Sequence, residues 1–154
     1  MNKETPSYTV RKINTNVGKN PDSSRKPWNE LESLNIDNFP WYSEGLKQET
    51  SAMACYDDAH IHLLFDCEDV HIGALAREPN GAVCRDSCVE FFGSPPGNPS
   101  YFNLEINCCG DILLGYGEDR HNRELADPEL IDEIEVITTV EERPKEEHPG
   151  DDGW

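Results

Sequence analysis

Glu90, Asn103 and Glu105 are the side chains of this chain most able to do chemistry together. They sit in two short bursts, 87–92 (SCVEFF) and 101–107 (YFNLEIN), in which polar and apolar residues alternate. Successive side chains of a strand point to opposite faces, so Asn103, Glu105 and Asn107 share one face. Phe102, Leu104 and Ile106 share the other, which is assigned to the core. On the neighbouring burst, Ser87, Val89 and Phe91 alternate with Cys88, Glu90 and Phe92. Pairing of the two bursts puts Glu90 beside Asn103 or Glu105 and creates a small polar patch. Carboxylates and carboxamides offer paired acceptors and donors, and hydrogen bonds to charged groups contribute about 1.5–3 kcal/mol each. Groups of this kind match the adjacent hydroxyls of a sugar, with an aromatic ring beneath the sugar's apolar face. Trp41 is the aromatic candidate. The plainer alternative is a solvated sheet face. Two carboxylates side by side repel unless protonated, bridged or separated by an amide, which favours a ligand or cation over bare solvent.

Other constellations offer less. Glu90 and Glu105 could act as the acid and base of a glycoside hydrolase, but nothing in the sequence marks the deep cleft or the raised pKa this needs. Asp57, Asp58, Glu68 and Asp69 are hard oxygen donors of the kind calcium takes, without the spacing of a known calcium loop; turn formation explains the Asp pair. His60 and His62 share a side of their strand, a spacing that can bind zinc, yet no second half is visible. The same holds for the Cys84-x-x-x-Cys88 spacing, and buried thiols are the better reading there. No metal ligands and no catalytic residues are assigned.

These residues need strands to position them. The segment 7–13 reads as a first strand, 14–27 as a loop, and Trp28 begins a helical turn that leads to a short strand carrying Leu34 and Ile36. Segments 51–56 and 60–67 form a hairpin closed by Asp57-Asp58-Ala59, since Asp tolerates turn geometry. In the second of these, Ile61, Leu63, Phe65 and Cys67 face one way and His60, His62, Leu64 and Asp66 the other. Beyond an irregular stretch, 70–84, come strands at 87–92, 101–107 and 111–116. Gly110 supplies a positive φ between the last two. After a polar excursion with a helical turn near Pro128, 134–140 (IEVITTV) is the last strand, and 141–154 is a charged, proline-broken tail. About eight short strands predict an all-β chain, an antiparallel β-sandwich of immunoglobulin or jelly-roll kind, in one domain over 1–154.

Composition narrows the partners. Thirty-one acids against thirteen bases give a net charge of −18, which disfavours nucleic acid and anionic membrane surfaces. No apolar run approaches the roughly 20 residues of a spanning helix. The six cysteines are read as reduced, mostly buried small hydrophobes; Cys108 and Cys109 would point to opposite faces if they sat in a strand, so they would not normally pair with each other.

A family likeness rests on several of these features in order. They are Trp28, the Tyr56-Asp57-Asp58 turn, the Glu68-Asp69 pair, the D-S-x-V-E-F-F stretch at 86–92, the Y-F-N-x-E-I-N stretch at 101–107 and the Gly-turn strand at 110–116. The segment 28–117 thereby resembles family 9-like carbohydrate-binding modules, a DOMON-like β-sandwich group. The resemblance implies a sandwich that binds sugars without cutting them, and in some members a structural calcium. It also implies two tryptophans clamping the sugar. Val83 or a neighbour stands where the first would be, and the second would lie beyond Trp154, so the clamp is not carried over. What carries over is the polar floor of Glu90, Asn103 and Glu105. A module that kept the fold and lost sugar binding is the rival reading. The DDGW ending predicts further strands past Trp154. The N-terminal residues hold no apolar leader, which favours the cytoplasm, whereas the family's role with exported enzymes favours export. Oligomeric state is left open.

Overall fold

The computed structural model describes residues 7–40 and 43–144, and the backbone of 148–149. Trp41 falls outside the described residues. The chain is all-β, with two antiparallel-rich sheets as the β-sandwich class requires, and it divides into two compact units, Met1–Glu68 and Asp69–Trp154. Ten strands occur among the described residues.

The first unit is organised around the hairpin of β3 (Thr50–Tyr56) and β4 (Ile61–Cys67). Their antiparallel register pairs Thr50 with Cys67 and Tyr56 with Ile61. The free edge of β3 takes β2 (Leu34–Asn35) antiparallel at Ser51 and Ala52, and β1 (Arg11–Lys12) parallel at Cys55 and Tyr56. The expected strand over 7–13 is thus a two-residue contact. Met53 opposes Leu64 and Cys55 opposes His62, so these four share a face. Met53, Cys55 and Leu64 form a buried cluster with Trp28, which sits at the start of the short helical turn Trp28–Glu30. Trp28 is therefore a core residue. Of the two β4 faces, the one bearing Leu64 is buried against this cluster, whereas Ile61 is largely exposed.

The second unit contains β5 (His71–Ile72), β6 (Cys88–Gly93), β7 (Tyr101–Asn107), β8 (Ile112–Gly117), β9 (Glu124–Leu125) and β10 (His148–Pro149). Strands β6, β7, β8 and β9 form one antiparallel sheet in that order. Strands β5 and β10 pair separately, so part of the expected irregular stretch and part of the expected tail are a two-residue ladder. Its proline sits at a short edge, where a missing N–H is tolerated. The helical turn near Pro128 is present as Pro128–Ile131, with proline in the first turn, where its lost donor has no partner to forfeit.

One expectation fails here. The segment 134–140 is not a strand. It is held by side chains instead: the Thr138 hydroxyl donates to the Cys108 carbonyl, and Val140 packs on the buried cluster of Ile72, Ala74 and Cys108. Alternation alone cannot distinguish such a docked extended segment from a ladder. Cys108 and Cys109 lie in the β7–β8 turn, with their sulfurs 4.0 Å apart. All six cysteines are free thiols, and burial pushes Cys108 up to about 12.

Gly110 adopts φ 85° in that turn, and its N–H donates to the Asn107 carbonyl at 2.9 Å. A Cβ there would also meet Val136 Cγ1 at 3.4 Å. Gly110→Ala should cost about 1–2 kcal/mol, the penalty of a left-handed L-residue. The check is a lower urea midpoint at unchanged slope.

Candidate functional site

Strands β6 and β7 pair in a register that sets Glu90 directly opposite Glu105, Phe92 opposite Asn103 and Cys88 opposite Asn107. On β8, Leu113 opposes Glu105, Gly115 opposes Asn103 and Gly117 opposes Tyr101. Glu90, Asn103 and Glu105 therefore meet on one sheet face, as their spacing predicts. Burial inverts the expected assignment of the two faces. Asn103, Glu105 and Asn107 are buried, at 0%, 7% and 1% exposure. Phe102 is 43% exposed and stacks on Tyr116 at 4.5 Å, and Leu104 and Ile106 are only half-buried. The polar side of β7 is the tightly packed one, because other long polar side chains cover it.

Chief among these is Arg123. Its guanidinium donates to Asn103 Oδ1 and, at 3.1 Å, to the Tyr101 hydroxyl. It lies 5.1 Å from the Tyr101 ring and 5.8 Å from the Phe92 ring. Gly115 and Gly117 make room for it. A Cβ on Gly115 would come within 3.2 Å of Arg123 Cδ, and one on Gly117 within 2.9 Å of Arg123 Cα. The signal in the sequence was the G-Y-G triplet at 115–117. Two glycines two residues apart leave a bare stripe on one strand face.

The cluster is not self-satisfied. Asn103 Nδ2, Glu105 Oε2 and Arg123 Nε are buried and make no hydrogen bond of good geometry among the described residues, although the Asn103 amide lies close enough to the Glu105 carboxyl to lower its pKa. Each such group costs about 1–3 kcal/mol if nothing fills it. Glu90 is exposed, whereas Glu105 is buried. Burial raises the Glu105 pKa, the Glu90 charge raises it further, and Arg123 and Asn103 offset part of this. Burial likewise pushes the adjacent Cys88 up to about 12. Phe92, on the same face, is 53% exposed beside the polar groups, with Tyr101 at 5.9 Å. It is an exposed aromatic ring beside the polar cluster, and Trp41, the aromatic candidate from sequence, lies outside the described residues.

At the far end of β7 the polar row changes character. Asn107 Nδ2 donates to Asp86 Oδ2 and Asp111 Oδ2, both at 2.9 Å, and Asn107 Oδ1 accepts the N–H groups of Cys109 and Asp111. All four of its hydrogen-bonding positions are used, so this residue holds the turn and is unavailable to a ligand. Val83, which with its neighbours stands where the family likeness implies a tryptophan, is fully buried in the short turn Val83–Arg85.

The acidic loop residues divide. Asp57 Oδ1 accepts the Ala59 and His60 N–H groups at 2.8 Å, the turn role expected of it, and Asp58 pairs with Lys12. Asp69 accepts the His71 N–H at 2.8 Å and the Ser87 hydroxyl. A groove of about 440 Å³ in the first unit, between Asn35 and Glu68 in sequence, contains none of Glu90, Asn103 and Glu105.

Comparison with known proteins comes from three directions. The sequence profile of carbohydrate-binding family 9 matches residues 18–154. A crystal structure of a candidate carbohydrate-binding protein from Bacteroides uniformis is similar to the chain at a TM-score of 0.79 and 28% identity, over 94% of this chain and 67% of that one. No curated protein matches the chain.

Proposed function

The chain belongs to carbohydrate-binding family 9, and on that premise we propose that it binds a saccharide, without cleaving it, on the face shared by β6, β7 and β8. Glu90 contacts a hydroxyl directly, a small shift of the covering Arg123 side chain brings Asn103, Glu105 and the Arg123 Nε–H into reach, and the exposed ring of Phe92 lies under the sugar. The observation that carries this is the set of unpartnered buried atoms on Asn103, Glu105 and Arg123. Two acceptors or donors on neighbouring residues fit vicinal hydroxyls, and charge-assisted bonds of this kind are the strong ones. The similar Bacteroides uniformis protein, described in the same terms, supports the ligand class.

Glycan-array screening of the full chain, followed by titration calorimetry, tests the proposal. A saccharide should bind, and Asn103→Ala should weaken it by at least about tenfold, the equivalent of one lost hydrogen bond. Gly115→Val should weaken it as well, because the added branch displaces Arg123 from Asn103. Failure of every saccharide to bind leaves only the family fold. Release of a chromogenic aglycone that vanishes in Glu90→Gln would replace binding with hydrolysis.

A further inference from the structure

We propose that Asp57, His60 and His62 form a surface site for a zinc-class divalent transition ion on the β3–β4 hairpin. His60 and His62 flank Ile61 and project to the same side of the strand, their rings 5.8 Å apart. The hairpin turn folds Asp57 back between them. Asp57 Oδ1 stands 3.4 Å from His60 Nδ1, and Asp57 Oδ2 stands 2.8 Å from His62 Nε2. One donor atom from each of the three residues lies within 4.8 Å of the others. Donors on a tetrahedral zinc with bonds of about 2.0–2.1 Å stand about 3.4 Å apart, so small rotations suffice to close the site.

Several local features favour it. The Ala59 and His60 N–H groups fix the Asp57 carboxylate, as supporting hydrogen bonds do for metal ligands. Lys12, the nearby cation, is engaged by Asp58. His60 is 70% exposed and His62 23% exposed, so an ion can enter directly and a fourth position stays open to water. Two imidazoles with one carboxylate select zinc, nickel or copper over calcium and magnesium. The chain's net charge of −18 raises the local concentration of any divalent cation. Sequence spacing supplied the histidine pair; the turn supplies the third ligand. This site lies apart in sequence from the saccharide residues and stands or falls without them.

The test is titration of the chelator-stripped full chain with Zn²⁺ against a chromogenic indicator. One equivalent should bind, and a large excess of Ca²⁺ should not displace it. His60→Ala, His62→Ala and Asp57→Asn should each weaken binding by more than about tenfold. Asp57→Asn keeps the Oδ1 acceptor of the turn, so the hairpin survives in that variant. Cys84→Ser, at the exposed thiol, should leave the affinity unchanged. Co²⁺ should give visible bands without the near-ultraviolet thiolate transition. Absence of stoichiometric zinc, binding that survives both histidine variants, or binding that disappears in Cys84→Ser overturns the proposal.

Discussion

Asn107→Asp should unfold much of the chain at neutral pH and recover part of its stability in acid. The substitution keeps the oxygen that accepts the Cys109 and Asp111 N–H groups. It replaces the amide that donates to Asp86 and Asp111 with a third carboxylate oxygen facing two others at about the same 2.9 Å. The site is only 1% exposed, so water cannot absorb the repulsion. A buried charge left without compensation costs on the order of 3–5 kcal/mol. Arg143, which donates to Asp111 Oδ2 at 2.6 Å, can offset one charge and not three. Burial alone would raise the Asp111 pKa, but the bonds from Arg143 and Asn107 outweigh it and hold the group below its ordinary value. In the parent chain that depression stabilises the fold above the unfolded pKa and is lost as pH falls through the folded one. In the variant the balance reverses, because protonating one of the three carboxyls restores a donor. Denaturant unfolding of both proteins at pH 7 and pH 4 measures this. The deficit of the variant should shrink in acid. An equal deficit at both pH values would mean the three carboxyl groups do not interact.

The strands were legible where two-sided alternation met clear turn residues. Segments 51–56, 60–67, 87–92, 101–107 and 111–116 all appear within one or two residues of their expected bounds. That Glu90 lies beside Asn103 or Glu105 was legible too, because period 2 and a single connecting loop leave few registers; the structure sets it opposite Glu105. What period 2 cannot say is which of two faces is covered. Asn103 and Asn107 are as polar as any surface residue, yet Arg123 covers the first and two aspartates enclose the second. Arg123 and Asp86 come from 20 and 21 residues away, beyond any local pattern; only Asp111 is near, four residues on. Arg123 itself sits in a polar excursion whose composition reads as loop. Only the bare stripe of Gly115 and Gly117 hinted that a long side chain crosses β8. The zinc-type cluster escaped for the opposite reason: its third member was read as a turn former, and it is one.

Glu105→Gln should make the fold more stable and the protein a poorer sugar binder. Burial, then the charge of Glu90 directly opposite, raise the Glu105 pKa, with Arg123 and Asn103 relieving only part. The folded state therefore holds this proton more tightly than the unfolded chain does. Stability falls as pH rises from the unfolded pKa through the raised folded value, and the full penalty is present above it. Glutamine carries no such penalty. The variant should melt higher than the parent at pH 7 and converge with it in acid, below both pKa values. Binding should move the other way. A carboxylate with a buried, unpartnered oxygen is a strong acceptor for a sugar hydroxyl, and replacing it with a neutral amide should weaken affinity by at least about tenfold. Opposite signs in stability and affinity are the mark of a group kept for its ligand against the interest of the fold. Thermal melts at pH 7 and pH 3, with calorimetry on the same preparations, decide the matter. A variant less stable at pH 7 would show that Glu105 holds the sheet together. Unchanged affinity beside raised stability would move the sugar elsewhere on the molecule.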